Sequence, residues 1–191
     1  MTDGLTLRRL EESDVTAVQR LIEADPDYTQ RVSGSPPGPD EAHRLLTARP
    51  ATLAPDQKVV LGVFCGTGLV ALIDLLRGWP DAGTVHIGLL QVHPQHQGQG
   101  IGRRAHDLLL DWIHGWPEVT QLRAAIVETN AEHAAPFWQA LGYTAFGPPK
   151  PYEQGAVSTT VRLWTRPVVS SIQPVKSRPS PPPGAVVGHV A

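Results

Sequence analysis

An apolar stretch from Thr84 to Val92 leads through a short loop into three alternating glycines, Gly98-Gln99-Gly100-Ile101-Gly102. These open directly onto a helix-patterned segment that ends near His114. No other feature constrains the chain as strongly. Val85, Ile87, Leu90 and Val92 give the first part the β-branched and leucine content of a strand. Ile101, Ala105, Leu108, Leu109, Trp112 and Ile113 recur three and four residues apart, which marks the buried face of a helix from Ile101 to His114. Glycines in the turn allow close backbone approach to a bulky anion, and the first amides of the helix have no intrahelical partner. The helix N-terminus adds a partial positive charge, and Arg103 and Arg104 add whole ones. The segment reads as a phosphate or diphosphate cradle. A tight turn before a helix would account for the glycines alone equally well, so the surrounding pattern has to decide. Gly98, Gly100 and Arg103 fill a G-x-G-x-x-G frame without its last glycine, and no clear acidic ribose ligand follows about 20 residues on, which disfavours a dinucleotide site. No G-x-x-x-x-G-K-[ST] occurs, which disfavours a nucleoside triphosphate loop.

Strand and helix signals alternate on both sides of this segment. Leu5 to Leu10 predicts a first strand, and Ser13 or Asp14 caps a helix carrying Val15, Val18, Leu21 and Ile22 at helical spacing. After a Pro- and Gly-rich loop from Ser33 to Pro39, a second helix is expected from Asp40 to Arg49. Lys58 to Cys65 and Leu69 to Leu76 flank Gly66-Thr67-Gly68 as a hairpin. Leu122 to Val127 predicts a strand, about His133 to Leu141 a helix ended by Gly142, and Tyr143 to Gly147 and Ser158 to Trp164 the closing strands. This order implies an α/β fold with a mixed sheet and helices on its faces. The folded domain is expected over residues 1–166. The segment 167–191, with six prolines, four serines and no aromatic or acidic residue, is expected to be a disordered tail.

The residues quoted so far resemble the GNAT superfamily of N-acetyltransferases. The family's Q/R-x-x-G-x-G/A motif is matched by Gln97-Gly98-Gln99-Gly100-Ile101-Gly102, between the fourth strand and the next helix. Its later signature, an Asn after the fifth strand and an aromatic-rich helix ending in L-G-[FY], is matched by Asn130 and Phe137-Trp138-Gln139-Ala140-Leu141-Gly142-Tyr143. The resemblance covers about Leu5 to Trp164 and implies a mixed, mostly antiparallel sheet of six to seven strands flanked by about four helices. It implies transfer of acetyl from acetyl-CoA, the co-substrate, to a primary amine of a small molecule or peptide, with no metal. By the same resemblance, Gln97, Gly98, Gln99, Gly100, Ile101, Gly102 and Arg103 hold the coenzyme A diphosphate. The strand at Leu90, Gln91 and Val92 takes the pantetheine arm like an added strand, and Asn130 and Trp138 lie along it. The backbone amide of Leu90 serves as oxyanion donor. A homodimer is also implied.

Acyl transfer to an amine requires a base, because an ammonium has no lone pair for attack. His86 on the fourth strand ranks first, since an unperturbed imidazole titrates near neutrality; Asp74, interrupting an apolar strand, ranks second and Glu128 third. Tyr28, Trp79 and Tyr152 are the acceptor-side candidates. Relatives carry a tyrosine at the place of Trp138 to protonate the departing thiolate, and indole cannot do so. A non-catalytic acyl-CoA-binding sensor is therefore the alternative reading. A net charge of -2 gives no general field for nucleic acid or an anionic membrane, so neither is an expected partner. Cys65 is the single cysteine and the N-terminus has no signal-peptide pattern, from which a cytoplasmic protein is expected.

Overall fold

The computed structural model describes residues 4–168. Seven strands form one sheet: β1 (Leu5–Arg9), β2 (Lys58–Cys65), β3 (Gly68–Arg77), β4 (Thr84–Val92), β5 (Gln121–Val127), β6 (Thr144–Gln154) and β7 (Val157–Pro167). Their order is β1-β2-β3-β4-β5-β7-β6. All neighbours are antiparallel except β4 and β5, which run parallel and are connected through helix α4 (Ile101–Ile113). This is the mixed, mostly antiparallel sheet expected from the sequence, with β2 and β4 ending at the expected residues.

Two packed layers cover the sheet. On one face α4 and α5 (Ala131–Ala140) bury Ile101, Ala105, Leu109, Ile113 and Trp138 against Leu61, Ile73, Leu75 and Ile87. On the other, α1 (Val15–Glu23) and α3 (Glu41–Thr47) bury Val18, Leu21, Ile22 and Ala42 against Val60, Phe64 and Leu72. Val18, Leu21 and Ile22 are almost fully enclosed, and each such burial contributes about 1.5–3 kcal/mol. Trp112 departs from its expected place on the buried face of α4, being 36% exposed, and Cys65 stands exposed at the end of β2.

The structure adds a fifth helix, α2 (Pro26–Ser33), which the apolar spacing does not announce. Its ends are built by local chemistry. The Asp25 carboxylate accepts from the Tyr28 amide, Pro26 occupies the first turn, and Gly34 terminates the helix in the left-handed conformation. Strand β6 also extends past its expected end at Gly147 to Gln154, through Pro148, Pro149 and Pro151. It tolerates them because it is an edge strand, where a missing N–H leaves no ladder partner unserved. The pairing slips between Phe146 and Lys150 to absorb the extra residues. Pro167, expected at the start of the tail, is instead the last residue of β7, and the Val168 amide donates to the Thr120 carbonyl; the rest of the expected tail, 169–191, lies outside the described residues.

One irregularity sets up the site. The β4–β5 ladder runs from Thr84↔Gln121 to Ile87↔Ala124 and stops, although both strands continue. Just there β4 has a bulge: Leu75 pairs Ile87 and Asp74 pairs Leu89, so Gly88 has no partner on β3. A bulge bends its strand. Glycine suits this point because a Cβ would lie 2.9 Å from the Asp74 carboxylate.

Candidate functional site

A cleft of about 620 Å³ opens where β4 and β5 part, a size typical of small-molecule sites. Leu90 and Val92 of β4, the glycine turn, and Ala134, Phe137 and Trp138 of α5 line it on the side of the α4–α5 layer. Gly88, Leu89 and Gln91 line it toward the opposite layer, beneath Asp25, Tyr28, Arg31 and Val32 of α2 and its cap. Asn130 and His133 complete the lining together with His96.

The three glycines of the turn do different things. Gly98 and Gly100 have φ of 71° and 77°, and a Cβ on either would meet nothing within 4 Å. Both therefore keep an open, left-handed backbone facing the cleft, with Gly100 at the N-cap of α4. Gly102 is needed for packing, since its Cβ would stand 3.0 Å from the Phe137 ring. Gln97 fastens the loop by donating from Nε2 to the Val92 carbonyl at 2.9 Å, with Asp25 Oδ2 at 3.4 Å. Ile101 and Arg103 line the cleft, and Arg103 also donates to the Ala140 carbonyl. Gln99 is the exception among the expected cradle residues. Its side chain turns back to the Gln95 carbonyl, and it is not among the lining residues.

Asn130 accepts from Arg31 Nε at 2.8 Å, which ties the end of β5 to α2 across the cleft. Trp138 is buried with its ring edge-on to Phe137, Tyr143 and His106. Gln91 is 5% exposed, and neither its amide oxygen nor its amide nitrogen has a hydrogen-bond partner. Such a group is costly to leave unpaired, by about 1–3 kcal/mol, and its place in the cleft wall gives a ligand something to satisfy.

The acid–base candidates separate clearly. His86 lies outside the cleft lining, on the part of β4 that is still paired with β5. Its Nδ1 accepts from Arg123 Nε at 3.2 Å and its ring meets Trp79 at 5.0 Å, while the Arg123 guanidinium lies over the Trp79 ring. Burial, and then the Arg123 charge, push its pKa down to about 3. His86 is thus a neutral packing group, and Trp79 is its partner, not an acceptor-site wall. Glu128 is exposed at the start of the turn before α5 and is likewise absent from the lining. Tyr152 also lies off the lining; its hydroxyl is within hydrogen-bond distance of the Val32 carbonyl and Gln154, so it supports the end of α2. Tyr28 does line the cleft, and burial raises its pKa, keeping the phenol protonated.

Asp74 is different. Its Oδ1 pairs with Lys58 Nζ at 2.5 Å, with the lysine 5% and the aspartate 14% exposed. Like His86 and Glu128, Asp74 is absent from the cleft lining; its Oδ2 would stand 2.9 Å from a Cβ on Gly88, which does line the cleft. Burial raises the Asp74 pKa, opposed by Lys58. Arg31, His96 and His133 line the cleft without being expected there from the sequence. The caps of α2 were the signal that would have placed Arg31 on a helix facing the cleft.

Solved structures share this architecture. The chain is 24% identical to an acetyltransferase from Thermus thermophilus, covering 86% of this chain and 97% of that one with a TM-score of 0.68. The ribosomal-protein-S18-alanine N-acetyltransferase of Escherichia coli matches at 17% identity, 86% and 94% coverage and a TM-score of 0.62. The spermidine N-acetyltransferase of Vibrio cholerae, solved with CoA and spermine, matches at 17% identity, 87% and 96% coverage and 0.66. No curated protein matches the sequence. At these identities the structures speak for the fold, but the sequence model of the acetyltransferase (GNAT) family matches residues 18–143 directly. That span takes in β4, the glycine turn, α4 and the aromatic helix, and the chain therefore belongs to the GNAT acetyltransferase family.

Proposed function

We propose that the chain transfers the acetyl group of acetyl-CoA directly to a primary amine. The observation that carries this reading is the open left-handed turn at Gly98 and Gly100, set at the N-terminus of α4 beside the gap between β4 and β5. Free amides and the helix dipole there suit the diphosphate of coenzyme A. The pantetheine arm then lies along Leu90 and Val92, with Phe137 and Trp138 beneath it, and the thioester reaches the point where the strands part. The amine nitrogen attacks the thioester carbonyl carbon, so that a C–N bond forms and the C–S bond breaks. The Leu90 amide stabilises the charge on oxygen. Asp74, behind Gly88 and off the lining, takes the amine proton through intervening water, and burial raises its pKa toward working pH. Trp138 supplies no acid, and Tyr28 is the protonated phenol of the cleft that gives the thiolate its proton.

Release of free thiol from acetyl-CoA in the presence of an amine panel tests the activity. Coenzyme A binding without thiol release would favour the sensor reading, which the missing tyrosine at Trp138 keeps in play. Tyr28→Phe is expected to lower kcat at least about tenfold with KM little changed, in line with the loss of one general acid. An unchanged kcat would remove Tyr28 from the mechanism.

A further inference from the structure

The acceptor half of the cleft has a charge pattern of its own. Arg31 projects from α2 into the cleft and commits only Nε, to Asn130; among the described residues its two terminal nitrogens have no hydrogen bond to protein. Of the carboxylates near the cleft, Asp25 lines it and accepts only from neutral donors, the Tyr28 amide and Gln97, both at 3.4 Å, and Asp74 is paired with Lys58 off the lining. Gln91 adds a buried amide with two donors and an acceptor, none of them paired. Gln91 pairs with Leu72 across the ladder and so shares the face that α2 overhangs.

We propose that the acceptor is an amine that also carries a carboxylate, as an α-amino acid does, held by the Arg31 guanidinium with the Gln91 amide beneath. A guanidinium presents paired N–H groups that match a carboxylate edge. The amine end of such a molecule lies toward Gly88, with the Lys58-paired Asp74 behind it. A polyamine would instead put a second cation against Arg31.

This inference rests on the acetyl-transfer reading, and matched acceptors keep the two separable. Thiol release from acetyl-CoA by the full chain is measured with leucine against leucinamide and against isopentylamine, and with lysine against cadaverine. Binding of the same compounds to the chain saturated with coenzyme A is measured in parallel. The carboxylated member of each set is expected to be preferred about tenfold or more. Arg31→Gln should erase that preference and Arg31→Lys should restore part of it. Carboxylate preference in binding without turnover would overturn the acetyl-transfer reading and leave the acceptor class standing. Equal or better use of the amide, the plain amine or cadaverine, or a preference that survives Arg31→Gln, would overturn the inference.

Discussion

At Gly100 a single hydrogen atom in place of a side chain keeps the mouth of the cradle open. Gly100→Asp puts a side chain on a left-handed residue and a negative charge where an anion is expected, and the space around it is otherwise empty. Coenzyme A binding should therefore be lost while the melting temperature moves by only a few degrees; calorimetric titration beside thermal denaturation checks both. The Lys58–Asp74 pair makes a different prediction. Lys58→Met leaves a buried carboxylate without its partner, which should cost about 3–5 kcal/mol of stability by urea denaturation. His86 had the right residue type on the right strand, but its use depends on whether β4 is still paired with β5 at that point. Ile87, one residue later, is the last paired position, and sequence does not carry that boundary. Burial and the charge of Arg123, from β5, keep His86 neutral, while Trp79 packs on its ring from the loop just before β4.

Helices and strands were legible wherever their apolar spacing was strong. β2, β4 and α4 have long apolar patterns and match closely. α2 is not announced by apolar spacing because it buries little beyond Thr29; the residues that mark it are Asp25, Pro26 and Gly34 at its ends rather than a stripe along it. β6 was cut short because proline argues against a central strand, and sequence alone does not say which strand ends up at an edge. In α5, Pro136 sits inside the helix and lacks the N–H that would reach the Glu132 carbonyl. Pro136→Ala supplies that hydrogen bond and removes a residue that costs up to about 3 kcal/mol in a helix interior. A rise in melting temperature of a few degrees is expected by scanning calorimetry; no change would mean that α5 is already relaxed around the proline.

Across the whole molecule, two enclosed imidazoles shape the response to acid. Burial and the neighbouring Arg123 hold His86 at about 3, and burial with the neighbouring Arg166 and Arg103 holds His106 at about 4, against 6.5 when unfolded. Below pH 6.5 the unfolded chain takes up protons that the folded chain refuses. Stability should therefore be full above that pH and fall toward pH 4, by up to about 1.4 kcal/mol per pH unit for each group. Asp74, raised by burial, acts in the opposite sense. Melting temperatures measured from pH 7.5 to 4.5 should decline, and His106→Asn should flatten the decline, because its titrating group is gone. The short β4–β5 ladder has a further consequence at this scale. Among the described residues, main-chain hydrogen bonds join the β1–β4 side of the sheet to the β5–β7–β6 side only at four paired positions and at the Gly83 carbonyl just before β4, which accepts from Thr120 and Gln121. The molecule carries a seam through its middle, and a pantetheine chain laid into it would act as mortar between the halves. Amide hydrogen exchange at Leu90 to Val92 should slow when coenzyme A is added. Saturation at a hundred times the dissociation constant should raise global stability by about 2.7 kcal/mol, so that the carrier does part of the work of folding.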